Sequence, residues 1–226
     1  MCGRFTLRTP ASDLAEHFAV DARPNLAARH NIAPSQDILV VRANRPGGMR
    51  EFAMLRWGLV PHWAKDPAIG NRMINARAET VAEKPSFRDA YRTRRCLVAA
   101  DGFFEWRKAS DGTRQPYHIR FGDDALFAIA GLWESWRAPD GETLESCALI
   151  TTEANRTLAP IHHRMPVILP AEAYDDWLDA RSPPPDALLR PYPADDLAAH
   201  AVGSRVNNAR HDDAACLEPA VGGLLL

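Results

Sequence analysis

The stretch RCLVAADGFFEWRK, residues 95–108, is a β-rich run of apolar and aromatic residues broken by one Asp-Gly turn. PYHIRF (116–121), ALFAIAGLWESW (125–136) and ESCALITTEA (145–154) follow it, again separated by Gly and Asp turns. Upstream, DILVVRA (37–43) reads as a short buried strand. NRPGG (44–48) reads as a turn, and MREFAMLRWGLVP (49–61) as the second strand of a hairpin. Strand follows strand with only short helices between, which argues against a βαβ doubly wound sheet. The expected fold is α+β, a curved antiparallel, barrel-like β-sheet core flanked by short helices, in a single domain over 1–226.

The remaining stretches carry the helices and connections. Thr9-Pro10 ahead of Leu14 and Phe18 predicts an amphipathic first helix with Pro10 at its first position. Residues 68–87 read as a loop entering a short helix. Pro170 opens a helix whose Tyr174, Trp177 and Leu178 share one face. SPPPDALLRPYP (182–193) is a surface connection, and VGSRVNNAR (202–210) is expected to return as an edge strand.

The chain has 226 residues, 46% hydrophobic and 25% charged, as an ordinary soluble globular protein has. Its net charge of −2 rules out a polycation. Cysteines at 2, 96, 147 and 216 form no CxxC and no zinc-type Cys/His spacing, so neither a metal nor a cofactor is expected. Their wide spacing suits a reducing cytosol. No apolar signal region opens the chain and no stretch approaches the ~20 apolar residues of a bilayer span. The expected setting is therefore cytoplasmic, without membrane contact and as a monomer.

Charge is unevenly spread. Residues 72–95 carry seven basic side chains (72, 77, 84, 88, 92, 94, 95) against three acids, whereas 172–226 carry ten acids against four arginines. Such a basic cluster is either a set of solvated faces or an anion-binding side. The second reading strengthens if exposed aromatics stand beside it, because single-stranded bases stack on them. Trp57, Trp63 and Trp106 lie near Gly and Pro, where loops form, although any one of them can equally be core.

Position 2 carries the most specific chemistry. The chain opens MCGRF, so removal of Met1 leaves Cys2 with a free α-amine beside its thiol. The amine's reference pKa is near ~8 and the thiol's near ~8.5. An aldehyde suits this pair best, because the amine forms an imine and the thiol then closes a five-membered thiazolidine. An internal cysteine lacks the amine. From position alone, an incidental Cys2 is as good a reading. Asn75 in MINARAET (73–80), Glu105 in ADGFFEWR (100–107) and His162 with Arg164 in IHHRMPVILP (161–170) each have a bland reading too.

Together the motifs say more. MCGRF, NIAPSQ (31–36), RWGLVPHWA (56–64), INARAET (74–80), DGFFEW (101–106), IHHRMPVIL (161–169) and the late VN (206–207) resemble, in order and nearly end to end, the SOS-response-associated peptidase (SRAP) family of abasic-site processing proteins. The resemblance implies a covalent link between Cys2 and abasic sites in single-stranded DNA, and a peptidase activity that exposes Cys2. It implies catalytic roles for Cys2, Asn75, Glu105 and His162. Arg4, Arg77 and Arg164 are the implied phosphate contacts, with Trp63 and Trp106 counted among the DNA-binding residues. The implied partner is abasic single-stranded DNA, with the protein nucleoid-associated when bound. His163 directly after His162 leaves some ambiguity about which imidazole serves.

Two rivals remain at this level. An N-terminal-nucleophile amidohydrolase also matures to Cys-Gly, but those enzymes use an Asn-Gly oxyanion element and this chain has no Asn-Gly pair. A passive single-strand binder predicts salt-sensitive binding without a covalent product.

Overall fold

The computed structural model describes residues 2–220. In chain order its elements are β1 (Phe5–Leu7), α1 (Ala11–Phe18), β2 (Arg29–Ile32), β3 (Asp37–Ala43), β4 (Arg50–Trp57), β5 (Asn75–Arg77), α2 (Arg88–Thr93), β6 (Arg95–Ala100), β7 (Gly102–Lys108), β8 (Arg114–Phe121), β9 (Phe127–Arg137), β10 (Thr143–Glu153), β11 (Arg164–Pro166), β12 (Ile168–Leu169), α3 (Tyr174–Leu178) and β13 (Leu197–Ala201). The fold is α+β, as the strand-after-strand pattern predicts.

Five strands close on themselves. β3 pairs with β4 and β6, β6 with β9, and β9 with β10 in antiparallel fashion, and a short parallel contact from β10 to β4 completes a barrel. One face of it takes Val40, Leu55, Val98, Ile129 and Leu149, each fully buried. A second sheet runs β13-β8-β7-β1-β2.

The Asp101-Gly102 pair is where the chain passes from one sheet to the other. β6 ends at Ala100 in the barrel and β7 begins at Gly102 in the second sheet. The buried Asp101 carboxylate fixes this corner. It accepts from Thr6 Oγ1 at 2.6 Å, Thr9 N at 3.0 Å and Arg8 Nε at 3.2 Å, and also from the Arg8 amide. Gly102 is required there, because a Cβ would stand 2.2 Å from His118 Nε2. Gly58 and Gly70 similarly touch back to back: its φ is +132° at Gly58, and a Cβ on either would fall within 2.6 Å of the other's carbonyl oxygen.

Three expectations need correcting, and one open reading closes. Pro10 is the N-cap of α1 rather than its first residue: with φ −58° and ψ 150° it stays extended while its carbonyl accepts from Asp13 and Leu14. Residues 68–87 contain a 3-10 turn (Pro67–Arg72) and the strand β5 before α2. The late edge strand is Leu197–Ala201. Within 202–210, Val202 makes only an isolated bridge with Pro219 and Ser204–Asn207 form a 3-10 turn. Trp57 is core, fully buried, with its indole N–H on the Ile74 carbonyl at 2.9 Å.

The basic cluster of 72–95 also divides. Arg95 is 3% exposed and caps carbonyls at the ends of α2 and α3, and Arg94 pairs with the buried Glu134 at 2.8 Å. Arg72, Arg77, Lys84, Arg88 and Arg92 face solvent. Among the described residues no helix is long and apolar enough to cross a membrane, and no cluster of three or more His, Cys, Asp or Glu could hold a metal ion.

Candidate active site

The two sheets meet where the candidate residues lie. β1 follows Cys2 directly and pairs with β7, so Phe5 faces Phe103 and Thr6 faces Gly102. One residue earlier, the Phe104 amide donates to the Arg4 carbonyl at 3.0 Å. This register carries Glu105 alongside the N-terminal residues. From the other side, the last third of β10 is flanked by β5 and β11. Thr151 pairs with Arg77 on one and Pro166 on the other. Asn75 and Arg77 therefore arrive from β5 and Arg164 from β11, at one stretch of β10.

The four expected catalytic residues converge. The Asn75 Nδ2 amide donates to the Cys2 carbonyl at 2.8 Å, and the Asn75 Oδ1 is buried with no hydrogen-bond partner among the described residues. Cys2 is fully buried, its thiol directed at the Arg4 carbonyl. The His162 Nδ1 stands 3.9 Å from Glu105 Oε1, too far for a hydrogen bond but within ion-pair range. His163 is exposed and stacks on His162 with centroids 4.4 Å apart. Of the two imidazoles, His162 is the one that lies beside Glu105.

Burial sets the electrostatics. The Glu105 side chain is 2% exposed, and desolvation pushes its carboxyl up to about 7. The same effect drives the Cys2 thiol far up, with the Glu105 charge adding to it, so the thiol rests protonated. His162 is pushed down, mainly by burial, and stays neutral at pH 7. Its Nδ1 accepts the Arg164 amide at 3.0 Å, which leaves the ring proton on Nε2.

The expected DNA contacts are differently placed. Arg77 is exposed. Arg164 turns its fork onto Glu79 through both Nη atoms, the Nη2 contact at 3.0 Å, and also donates to the Thr151 carbonyl at 2.6 Å. Arg4 reaches the Asn31 side chain at 2.8 Å and the Val206 carbonyl at 2.6 Å, bracing the late segment. Trp106 is half-buried against Phe104 and Val206, with its indole N–H on Asn207 Oδ1 at 2.7 Å. Trp63 is 49% exposed. Sequence reasoning passed over Glu79 and Asn31, although both stand inside quoted motifs, INARAET and NIAPSQ. An acid two residues after an arginine assigned to phosphate was the available signal.

Comparison with known proteins shows which family the chain resembles. The SOS response associated peptidase (SRAP) family profile matches residues 1–209. The chain is 43% identical over 224 residues to "Abasic site processing protein YoqW" of Bacillus subtilis (strain 168), covering 96% of this chain and 99% of that one. It is 39% identical over 198 residues to "Abasic site processing protein HMCES" of Mus musculus, covering 74% of this chain and 56% of that protein. A crystal structure of a protein from Bacteroides thetaiotaomicron superposes with a TM-score of 0.84 at 26% identity, over 97% of this chain and all of that one.

Proposed function

Because the chain belongs to the SOS response associated peptidase family, we propose that it processes abasic sites in single-stranded DNA by linking them covalently to Cys2 once Met1 is removed. The observation that carries this reading is the junction of Cys2, Asn75, Glu105 and His162 at the meeting of the two sheets, with a carboxyl buried beside an N-terminal cysteine.

The chemistry follows from the resting charges. An abasic deoxyribose is mostly a closed hemiacetal, and the ring must open before an aldehyde exists. Glu105 is about half protonated near pH 7, which makes it the group of the site that still holds a transferable proton there. His162 is neutral and offers a hydrogen bond from Nε2 rather than a full proton. The Cys2 amine attacks C1′, and loss of water, assisted by a proton from Glu105, gives the imine. The neutral thiol then adds across the C=N bond: sulfur bonds to C1′, the thiol proton goes to nitrogen, and the thiazolidine closes. Removing the imine also removes the acidity at C2′ that leads to β-elimination and strand cleavage. Asn75 cannot ionise, and its amide on the Cys2 carbonyl aims the terminus. A peptidase activity that frees Cys2 belongs to the same proposal.

The test incubates the purified protein with uracil-containing single-stranded DNA pretreated with uracil glycosylase, followed by a denaturing gel. A heat-stable band is expected from the wild type and not from Cys2→Ala, whose amine can give only a labile imine. An undiminished heat-stable band from Cys2→Ala sinks the reading. A glutaminase assay tests the amidohydrolase alternative.

A further inference from the structure

Arg164 lies inward and Glu79 outward. The Arg164 side chain is 12% exposed and the Glu79 side chain 50% exposed, so the carboxylate covers the open edge of the guanidinium. The pair is fork on fork: Glu79 Oε1 and Oε2 each accept from one Nη atom. A phosphate would engage the same two donors in the same way. Arg77, two residues earlier, is exposed and its charge also acts on Glu79. Arg164 does not need Glu79 to stay in place, because the Thr151 carbonyl holds Nη2 at 2.6 Å and the Arg164 amide rests on His162 Nδ1.

From this we propose that Glu79 is a built-in phosphate mimic: its carboxylate occupies the phosphate-binding fork of Arg164 and must be displaced by a DNA phosphate before the strand seats against Cys2. The proposal rests on the reading that this face receives DNA. The exchange of one anion for another holds down affinity for undamaged strands. Only a strand that gains further energy at the reactive carbon is retained.

The experiment measures binding of an undamaged, fluorescently labelled single-stranded oligonucleotide by anisotropy across a salt series, using the full-length protein. Glu79→Gln keeps the shape and removes the charge. It should bind roughly three- to tenfold more tightly at low salt and steepen the log Kd against log salt slope by about one. In an Arg164→Gln background the same change should give no gain. A Glu79→Gln protein that binds no tighter than wild type with the slope unchanged overturns the latch, as does a gain that survives loss of Arg164. The abasic crosslink of the wild type, run on the same preparation, separates the two ideas. Its failure counts against Cys2 chemistry, whereas a normal crosslink without a gain in Glu79→Gln counts against the latch alone.

Discussion

The Glu105 carboxyl is raised, but not by the residues that flank it in sequence. In sequence its neighbours are Phe104 and Trp106, and apolar company predicts a raised carboxyl pKa. In the strand, side chains alternate, so Phe104 and Trp106 point away into a small cluster with Val202, Val206 and Cys216. The carboxyl shares its face with Phe103 and is desolvated by the main core and the N-terminal residues. The shift has a thermodynamic consequence. A carboxyl raised from an unfolded value near ~4.3 to about 7 is accommodated in full at low pH, and its burial costs stability as pH climbs between those values. Glu105→Gln should therefore raise Tm by several degrees at about pH 8, with the gain shrinking towards zero near about pH 4.5. Calorimetry on both proteins at the two pH values decides it; an equal offset at both would mean that the carboxyl is not the cause. Crosslinking by Glu105→Gln should fall by ~10²-fold or more.

Elements were legible where their signal is local. The 37–43 strand emerges as read, because seven consecutive residues show both a buried run and a turn behind it, and its hairpin partner pairs with it but ends at Trp57 rather than at position 61. β5 was hidden: Asn75–Arg77 is too short to show alternation, and it is a strand only because β10 lies alongside. β13 was displaced by a few residues because Leu-Ala-Ala-His-Ala carries little hydrophobic contrast. Arg95 is the sharpest case. Counted in sequence it enlarges a basic patch, yet it opens β6 and donates to the Tyr91 and Arg92 carbonyls ending α2 and to the Trp177 and Asp179 carbonyls ending α3. A cation at two helix C-termini satisfies carbonyls that have no helical partner. Two measurements separate this role from phosphate binding. Arg95→Met should lower stability by about 3 kcal/mol, seen as a shifted urea midpoint with unchanged m. It should leave the salt dependence of DNA binding as it was, whereas Arg77→Ala should flatten that slope by ~1. A flattened slope in Arg95→Met would return it to the anion-binding side.

At the scale of the whole molecule, the fold is closed by contacts far apart in sequence, and no local pattern announces them. The parallel β4–β10 contact that closes the barrel is one such junction. The other is built on Asn31. Its fully buried amide donates to the Val206 and Asn208 carbonyls at 3.2 Å each and to the His211 carbonyl at 2.8 Å, while Oδ1 accepts from Arg4 at 2.8 Å. Asp212 completes the seam by accepting the His30 and Asn31 amides at 2.6 and 2.7 Å. Three motifs distant in the chain, MCGRF, NIAPSQ and VN, thus share one polar knot two residues from Cys2. Its position explains what they have in common: they hold the N-terminal strand, and with it the cysteine, against the rest of the fold. Asn31→Leu keeps the shape and removes the four side-chain bonds, taking a donor from the Asn208 and His211 carbonyls and an acceptor from Arg4, while Arg4 still donates to the Val206 carbonyl and Asp212 still accepts both backbone amides. The expected cost is about 2–4 kcal/mol in urea unfolding. Well below its melting temperature the variant should still crosslink abasic DNA, but on the order of tenfold more slowly, because the reactive terminus is no longer aimed. Maleimide labelling mapped by mass spectrometry supplies an independent readout. Cys2 is fully buried in the intact chain, so its labelling should accelerate in Asn31→Leu while that of Cys96 and Cys147, deep in the barrel, stays slow. If all three accelerate together, the variant is loosened globally. If Cys2 labels at the wild-type rate while crosslinking still falls, the knot does not hold the terminus and Asn31 acts on the DNA side instead.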